Sequence, residues 1–433
     1  MNGPNPVSRR DFLRNSAASA ASAALLASGN FAHASVDDTI RVGVIGCGGR
    51  GTDAARNVLD TKLPGIEIVA LADVFPERLE GAKNSLRSFG PQFKVKDDTC
   101  FLGFDAYKKL LATNCNYVIL ATPPGFRPEH FRAAVEAGKN VFTEKPVAVD
   151  APGVRSFIES GEKAKAKGLS VVAGTQRRHQ AQYLETIKRI HDGAIGEVVS
   201  AQVYWNQGGL WMHPRRPEWS DLEWQMRNWY YLTWLCGDHI VEQHVHNLDV
   251  ANWVLNAHPA KAVGVGGRQV RTDPAYGHIW DHFGLEYEYP NGARVLSMCK
   301  HWDNTASRVS EHVIGTRGTS DPGRWIRGAV QYRFDGDAPN PYVQEHADNI
   351  QAIRSGRPLN EARQVAESTL TAILGREACY TGQEITWDQM MACNTVLAPP
   401  AFRNGAHPAS MNMSLPVPPV AMPGRTQLDR NDW

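Results

Sequence analysis

The chain has 433 residues, of which 42% are apolar and 21% are charged, and its formal net charge is +1. This composition excludes a disordered chain, and the balance of 46 basic and 45 acidic residues argues against a broad nucleic-acid-binding surface. At roughly 100–200 residues per domain, the length predicts two domains with separate cores. The seven cysteines form no CxxC pair, so neither a zinc ribbon nor a disulfide framework is indicated.

The first 34 residues have the layout of a bacterial export signal. Arg9 and Arg10 precede a mildly apolar run at 17–27, and Ala-His-Ala at 32–34 resembles a cleavage site. The arginine pair favours the twin-arginine route, and we therefore expect contact with that export machinery and a periplasmic protein. No apolar run reaches the ~18 residues of a membrane span, so no stable membrane anchor is expected. The alternative is a disordered tail with a chance arginine pair.

Residues 38–176 alternate apolar runs with helical segments. Strands are predicted at 39–45, 66–72, 117–121, 140–143 and 170–173. Helices are predicted to begin near Thr52, Pro76 and Arg127 and after Asp150, whose side chain would cap the last of them. Because continuously apolar strands that alternate with helices are buried on both faces, the pattern predicts a parallel sheet covered by helices.

A glycine-rich turn gives this sheet a function. Gly46, Gly48 and Gly51 follow the first strand and open a helix, and Asp73 ends the second strand. In a dinucleotide-binding turn, the first glycine permits a tight turn, the second lets the backbone approach the pyrophosphate, and the third allows close helix–strand packing. The helix N-terminus attracts the phosphates. The sequence thus predicts a Rossmann domain at 38–176, the alternative being a glycine-rich turn in another α/β domain.

The acidic residue decides which dinucleotide is expected. Asp73 would accept hydrogen bonds from the adenosine ribose and repel a 2′-phosphate, which favours NAD over NADP. A neighbouring cation such as Arg50 or Arg78 would weaken that preference. Gly49 and Arg50 lie in the same turn and are assigned to the cofactor site with the three glycines.

The pattern changes after Gln176. Strands are predicted at 198–205, 282–289 and 293–298, and Pro290-Asn291-Gly292 predicts a hairpin between the last two. Residues 177–394 therefore form a predicted α+β domain for substrate binding and oligomerisation, with helices near 345–355 and 361–380 that pack on it. Residues 395–433 are Pro-rich and are expected to be an extended arm or a mobile tail. A homodimer or homotetramer is expected.

Six of the twelve tryptophans lie between Trp205 and Trp234. Aromatic rings anchor cores and interfaces, and they also stack on sugar rings. A buried or oligomer-facing cluster is the preferred interpretation, and a carbohydrate platform is the alternative.

The segment 237–249 combines histidines with carboxylates. On one continuous helix, His239, Glu242, His246 and Asp249 would fall within an arc of about 80°. Such a row would face a cleft, where an imidazole held by a carboxylate suits acid–base chemistry on an alcohol. His244 falls on the apolar side and is expected in the core. The alternatives are a solvated helix face and a metal site made of the first three residues; no metal is predicted.

These motifs resemble the Gfo/Idh/MocA family of nicotinamide-dependent sugar and cyclitol dehydrogenases over residues 38–390. Three markers carry the resemblance: the glycine turn closed by Asp73, the sequence Glu144-Lys145-Pro146 at a strand end, and the spacing from Glu242 to His246 to Asp249. The resemblance implies a Rossmann domain followed by an α+β domain with a large, mostly antiparallel sheet. The paired arginines resemble those of exported family members.

The resemblance also implies roles for individual residues. Lys145 would lie by the nicotinamide and the substrate hydroxyl, and His246 would accept the hydroxyl proton. Glu242 stands where the family usually has aspartate, and it is assigned a catalytic role with them. Further implied cofactor-binding residues are Thr122, Pro123, His130, Glu144 and Gln176. Arg177 and Asp249 are the implied substrate-binding residues, and His239, from the polar face of the segment 237–249, is assigned to substrate binding with them.

The resulting hypothesis is an exported NAD-dependent oxidoreductase that acts on a secondary hydroxyl of a sugar, sugar derivative or cyclitol. Because free NAD is scarce outside the cytoplasm, retention of the cofactor between turnovers is one expectation. The alternatives are a redox-neutral glycosidase or lyase that passes through a transient keto-sugar, and a non-catalytic sugar-binding protein.

Overall fold

Six short, largely apolar strands build the first sheet of the protein, whose computed structural model describes residues 38–433. All six are parallel and lie in the order β3-β2-β1-β4-β5-β6. The strands are β1 Ile40–Ile45, β2 Ile66–Asp73, β3 Cys100–Leu102, β4 Tyr117–Leu120, β5 Asn140–Thr143 and β6 Val171–Ala173. The strand order reverses between β1 and β4, and such a reversal opens a crevice at the carboxyl ends of the strands.

Helices cover both faces of this sheet. They are α1 Gly49–Asp60, α2 Pro76–Leu86, α3 Ala106–Leu111, α4 Arg127–Glu136 and α5 Ala151–Ala166. Asp150 caps α5, because its Oδ1 accepts a hydrogen bond of 2.8 Å from the Gly153 N–H. The predicted Rossmann architecture is confirmed. The export signal predicted for residues 1–34 lies outside the described residues.

A nine-stranded sheet forms the second part of the molecule, in the order β14-β13-β12-β11-β7-β10-β9-β8-β15. Its strands are β7 Val198–Gln207, β8 Lys261–Gly267, β9 His282–Glu288, β10 Arg294–His301, β11 Arg308–Gly315, β12 Gly318–Asp321, β13 Trp325–Gly328, β14 Tyr332–Arg333 and β15 Ile385–Thr386. Strands β7 and β10 pair in parallel, and the other neighbours are antiparallel. The predicted α+β partner with a mostly antiparallel sheet is confirmed.

Eight further helices accompany this sheet within the described chain. They are α6 Ala181–His191, α7 Asp221–Arg227, α8 Thr233–Cys236, α9 His239–Glu242, α10 Val245–Leu255, α11 Pro341–Arg354, α12 Ala362–Thr381 and α13 Trp387–Ala392. Helix α11 corrects one expectation, because it packs on the first sheet. His346 Nδ1 lies 2.9 Å from the Tyr117 hydroxyl, and Asn349 Nδ2 donates to the Val141 carbonyl at 3.2 Å. Ile350 joins the hydrophobic core of that sheet.

The prediction of one continuous helix over 237–249 is wrong. The chain enters α9 through Gly237 and Asp238, both with positive φ, and α9 ends at Glu242 before α10 begins at Val245. At the break, the buried ring of His244 places Nε2 2.8 Å from the Ser297 hydroxyl of β10. His244 is therefore the core histidine that its apolar position predicted.

The Pro-rich residues 395–433, here named the C-terminal arm, form an extended segment that is anchored at several points. Arg430 Nη1 contacts Glu377 Oε2 of α12 at 2.6 Å. The Trp280 indole N–H donates to the Ala421 carbonyl at 3.1 Å. Leu415 is buried in the same core as residues of α7 and α8. These contacts favour the extended arm over the mobile tail.

All seven cysteines lie in the described part of the chain and are unpaired. Between residues 38 and 433, every helix is too short or too polar to cross a membrane.

Candidate active site

A cavity of about 1150 Å³ lies where the carboxyl ends of β1, β2, β4 and β5 meet the aromatic side of the second sheet. The predicted residues on its wall are Gly46, Gly48, Gly49, Arg50, Gly51, Asp73, Thr122, Pro123, His130, Glu144, Lys145, Gln176, Glu242 and His246. Trp205 of β7 lines the cavity from the second sheet. The fold therefore brings the glycine turn, the Glu-Lys-Pro motif and the late histidine to one space.

The glycine turn has the geometry that a pyrophosphate site needs. Gly46 has φ +93°, and a Cβ there would lie 2.7 Å from the carbonyl carbon of Ala121. A Cβ on Gly51 would lie 1.8 Å from the Gly46 carbonyl oxygen, so this glycine permits the close approach of α1 to the turn. Added Cβ atoms on Gly48 and Gly49 would meet open space. A dinucleotide fits this cradle, because the N-terminus of α1 has no side-chain cap and no acidic residue in its first turn.

Asp73 is fixed at the end of β2 beside this turn. Its Oδ2 accepts from the Cys47 N–H at 2.7 Å and its Oδ1 from the Phe75 N–H at 2.9 Å. Burial raises the pKa of Asp73 above its ordinary value, against the opposing effect of these hydrogen bonds. Arg78 lines the same end of the cavity. The carboxyl group thus stands where a ribose would bind, with a cation nearby.

Arg50 is engaged by two carboxylates. Its Nε contacts Glu144, and its Nη2 lies 3.1 Å from Oε1 of Glu345 in α11. Burial acts to raise the pKa of Glu144, but the charges of Arg50 and Lys145 outweigh it, so that the pKa is lowered. Burial raises the pKa of Glu345 well above its ordinary value. Arg50 therefore stabilises an ionised Glu144 at the cavity wall.

Lys145 is held in place by Glu242. Its Nζ donates to the Glu242 main-chain carbonyl at 2.6 Å and lies 3.4 Å from the Glu242 carboxylate. The peptide bond to Pro146 is cis, and Arg127 hydrogen-bonds the Pro146 carbonyl. Lys145 is 8% exposed and Glu242 is 5% exposed, so the pair is shielded from bulk water.

Glu242 keeps one oxygen available. Its Oε2 is buried and has no hydrogen-bond partner anywhere in residues 38–433. Burial raises the pKa of Glu242, partly offset by the charges of Lys145 and Arg127. An unpaired buried carboxylate oxygen is costly, and a hydroxyl donor in the cavity would relieve that cost.

His246 faces the cavity from the first turn of α10. Its ring stacks on Trp205, with 5.6 Å between centroids and an interplanar angle of 21°. Burial, followed by the charge of Lys145, holds the pKa of His246 well below its ordinary value. Its ring nitrogens have no hydrogen-bond partner among the described residues. A neutral imidazole of this kind is a competent proton acceptor.

The remaining predicted cofactor residues line the same cavity. Thr122 Oγ1 lies 3.2 Å from His130 Nδ1, and burial lowers the pKa of His130 to about 4. Pro123 turns the chain into α4 beside them. Gln176 follows β6 and places its buried Oε1 without a hydrogen-bond partner in the described chain.

None of the three predicted substrate-binding residues lines the cavity. His239 is fully buried, with Nδ1 3.0 Å from Asp238 Oδ1, because the break before α10 turns it away from His246. Arg177 pairs with Glu311 at 2.7 Å. Asp249 is held by Arg178 Nε at 2.9 Å and by a serine of α12. All three side chains thus contact other charged side chains of the protein.

Some tryptophans of the aromatic cluster line the cavity, as a carbohydrate platform would, and others are buried, as a core cluster would be. Trp205, Trp211, Trp219 and Trp229 line the cavity, whereas Trp224 and Trp234 are buried in the core. Three further cavity-lining residues were not predicted from the sequence: Tyr230, next to Trp229; Gln243, next to Glu242; and Tyr342 of α11. The local density of tryptophan was the signal for the aromatic wall. No local signal marks Tyr342.

Residues 38–433 contain no group of three histidine, cysteine or carboxylate side chains placed to hold a metal ion.

Comparisons with known proteins agree with this geometry. The model for the oxidoreductase family with an NAD-binding Rossmann fold, GFO/IDH/MocA, matches residues 40–174. The GFO/IDH/MocA C-terminal domain matches residues 183–321. Together the two matches cover more than half of the chain.

Individual relatives extend the match. Inositol 2-dehydrogenase 3 of Saccharopolyspora erythraea is 28% identical over 367 residues, which are 80% of this chain and 95% of that protein. The 2,7-anhydro-N-acetylneuraminate hydratase of Escherichia coli is 25% identical over 65% of this chain and 66% of its own length. The aldose-aldose oxidoreductase of Caulobacter crescentus shares the fold, with a TM-score of 0.63 at 18% identity over 80% of this chain and 99% of its own. The chain belongs to the GFO/IDH/MocA family of oxidoreductases.

Proposed function

We propose that this protein transfers a hydride between NAD and a secondary hydroxyl group of a sugar, sugar derivative or cyclitol. The observation that carries the proposal is the meeting of Lys145, Glu242 and a neutral His246 on the wall of the cavity that holds the glycine turn. When bound, the nicotinamide cofactor supplies the hydride acceptor. The inositol 2-dehydrogenase relatives support a polyhydroxylated ring as substrate.

The protein's own groups handle the proton. The His246 imidazole accepts the proton of the substrate hydroxyl, since its lowered pKa keeps it unprotonated at neutral pH. The Lys145 ammonium donates a hydrogen bond to the same oxygen and stabilises the charge that develops there. Glu242 fixes Lys145 through its carbonyl and carboxylate and offers its unpaired Oε2 to a second substrate hydroxyl.

NAD is proposed over NADP because Asp73 stands at the end of β2 with both oxygens held by backbone N–H groups. Its negative charge disfavours a 2′-phosphate, although Arg78 on the same wall moderates the effect. Parallel titrations with NAD and NADP test this proposal. We expect tighter binding of NAD, and Asp73→Ser should narrow the difference.

Export by the twin-arginine route to the periplasm is proposed from residues 1–34. Fractionation of cells that produce the full chain, together with an Arg9→Lys/Arg10→Lys variant, tests it. We expect the wild type in the periplasm and the variant in the cytoplasm.

A redox-neutral lyase or glycosidase is the second candidate, and the hydratase relative favours it. In that reaction the hydride returns to the substrate after elimination from a transient keto-sugar. Product formation without net accumulation of reduced cofactor would select this candidate over the dehydrogenase.

The test of the site uses Lys145→Met and His246→Gln. The matched controls are Lys188→Met, at an exposed lysine, and His312→Gln, at a half-buried histidine, neither of which lines the cavity. General acid–base catalysis contributes about 10²–10⁴-fold, so each site variant should lose activity on that order while the controls keep it. The assay is cofactor reduction with a panel of cyclitols and sugars. Site variants that turn over at the wild-type rate would refute the assignment.

A further inference from the structure

Residues 210–229, here named the tryptophan segment, form a wall of the cavity that the catalytic proposal does not use. The segment leaves the end of β7, contains α7 and returns towards α8. Its cavity-lining members are Leu210, Trp211, His213, Arg216, Trp219, Met226, Arg227 and Trp229. It comes from the second part of the chain, yet it extends to the Rossmann side.

The contact that spans the cavity rim joins Arg227 to the turn that follows Asp73. Arg227 Nη1 lies 2.6 Å from Glu77 Oε1 in the first turn of α2. The same guanidinium carbon lies 4.2 Å from the centre of the Phe75 ring. Phe75 and Glu77 stand two and four residues beyond Asp73. The tryptophan segment therefore reaches the end of the cavity where Asp73 lies.

Three cations gather at this end of the cavity: Arg78, Arg216 and Arg227 line it together. Arg227 is paired with Glu77 and Glu223, and the charge of Arg78 acts on Asp73. The flat ring of Trp219 lies 4.9 Å from the Arg227 guanidinium and extends the aromatic wall.

The C-terminal arm supports the tryptophan segment from behind. The Leu222 N–H donates to the Met413 carbonyl at 3.2 Å, and Gln225 Nε2 donates to the Leu415 carbonyl at 2.7 Å. The arm also reaches the Rossmann side, where His407 Nε2 lies 3.2 Å from Glu129 Oε1 of α4. Residues 407–415 of the arm thus contact both α7 and helix α4 of the Rossmann domain.

We propose that the tryptophan segment retains the bound dinucleotide between turnovers, with the Arg227–Glu77 pair as its closing contact. The inference rests on the proposed function, because it requires a dinucleotide in the groove. Release then requires that this contact opens and that α7 moves away from Phe75. A dinucleotide held in this way acts as a prosthetic group, which suits an enzyme that works where free NAD is scarce.

The test measures how fast NADH leaves the protein. Full-length protein is loaded with NADH and mixed with excess NAD, and the decay of NADH fluorescence gives the dissociation rate. Arg227→Ala removes the Glu77 ion pair and the Phe75 cation–π contact across the rim, together with the contacts to Glu223 and Trp219 within the segment. Dissociation should therefore accelerate about tenfold. Glu77→Gln should accelerate it in the same direction from the Rossmann side, and it provides a second variant should Arg227→Ala fail to fold.

Arg215→Ala is the matched control. Arg215 lies in the same segment, pairs with Asp221 at 2.6 Å and stacks on Trp224 at 5.6 Å, but all of these contacts stay within the segment. Its dissociation rate should stay within about twofold of wild type. If NADH dissociates from Arg227→Ala and from Glu77→Gln at the wild-type rate, the Arg227–Glu77 contact does not retain the dinucleotide and the inference is overturned, whereas the proposed function is not affected. A wild-type protein that binds neither NADH nor NAD would overturn the proposed function as well.

Discussion

At the scale of single residues, burial sets the charge states that the proposed chemistry needs. His246 is kept neutral by burial and by the Lys145 charge, which together lower its pKa well below 6.5. We expect no titration of its ring between about pH 8 and 6, where an ordinary histidine gains most of its charge. Carbon-13 NMR of ring-labelled protein, with His246→Gln to assign the signal, checks this. A midpoint near 6.5 would contradict the lowering of the His246 pKa by burial.

His278, away from the cavity, makes stability depend on pH. Burial lowers its pKa to about 3, against 6.5 for an ordinary histidine. Below pH 6.5 the unfolded chain therefore binds a proton that the folded protein does not, so acidification favours unfolding. Between pH 7 and 5 this one group costs about 2 kcal/mol of stability. His278→Gln, whose amide can still reach Thr233, should lose about 2 kcal/mol less than wild type in urea titrations at the two pH values.

The motif residues could be placed from the sequence because their spacing is local. Gly46 follows β1, Asp73 ends β2 and Lys145 lies two residues beyond β5. Parallel strands bring their carboxyl ends to one edge of the sheet. Glu345 could not be found in this way. It reaches Arg50 from a helix almost 300 residues later in the chain, and no local sequence motif marks this ion pair.

At the scale of elements, two glycines of the glycine turn are expected to have different roles, one in stability and the other in NAD binding. Gly51→Ala would force a methyl group to within 1.8 Å of the Gly46 carbonyl, so α1 must move and we expect a loss of about 1–3 kcal/mol or more. Gly48→Ala meets open space and has φ −68°, which suits alanine. It should keep the wild-type thermal midpoint and weaken NAD binding.

Thermal melts and NAD titrations of the two glycine variants check this contrast. Equal thermal midpoints, or a Gly48→Ala protein that binds NAD normally, would contradict the role given to each glycine.

The strands and helices of the first sheet could be predicted from the apolar pattern of the sequence and from capping residues. For example, β5 at Asn140–Thr143 and the cap formed by Asp150 both lie where they were predicted. The segment 237–249 does not agree with its prediction. Helical periodicity predicted one helix, but the helix breaks between Glu242 and Val245, and no sequence rule marks that break. At the break, His244 hydrogen-bonds Ser297 of β10, a contact that the local sequence does not specify. His239 lies in α9, before the break, and does not line the cavity.

At the scale of the whole molecule, the C-terminal arm ties distant parts together. Arg430 pairs with Glu377, which is 2% exposed and is also bound by Arg376. Removing one partner of a buried pair leaves a poorly compensated charge, so Arg430→Ala should destabilise the protein by about 2–4 kcal/mol. Arg425→Ala, an exposed arginine of the same arm, is the control. Unfolding in denaturant should separate the two variants, and equal stabilities would show that the arm adds little.

Long-range assembly is the part that the sequence does not specify. Composition predicts the Pro-rich arm, but its path over α7 depends on single contacts such as Gln225 with the Leu415 carbonyl. Likewise, the tryptophan count predicts an aromatic cluster without saying which rings face the cavity. The predicted homodimer or homotetramer stays a prediction.

The most direct test of the central claim follows the hydride itself. The protein is incubated with NAD and with cyclitols or sugars that carry deuterium on their ring carbons, myo-inositol first, then denatured, and the released dinucleotide is analysed by mass spectrometry. We expect deuterium in the nicotinamide with wild-type protein and none with Lys145→Met. A dinucleotide that binds but takes up no deuterium from any of these substrates would contradict the central claim.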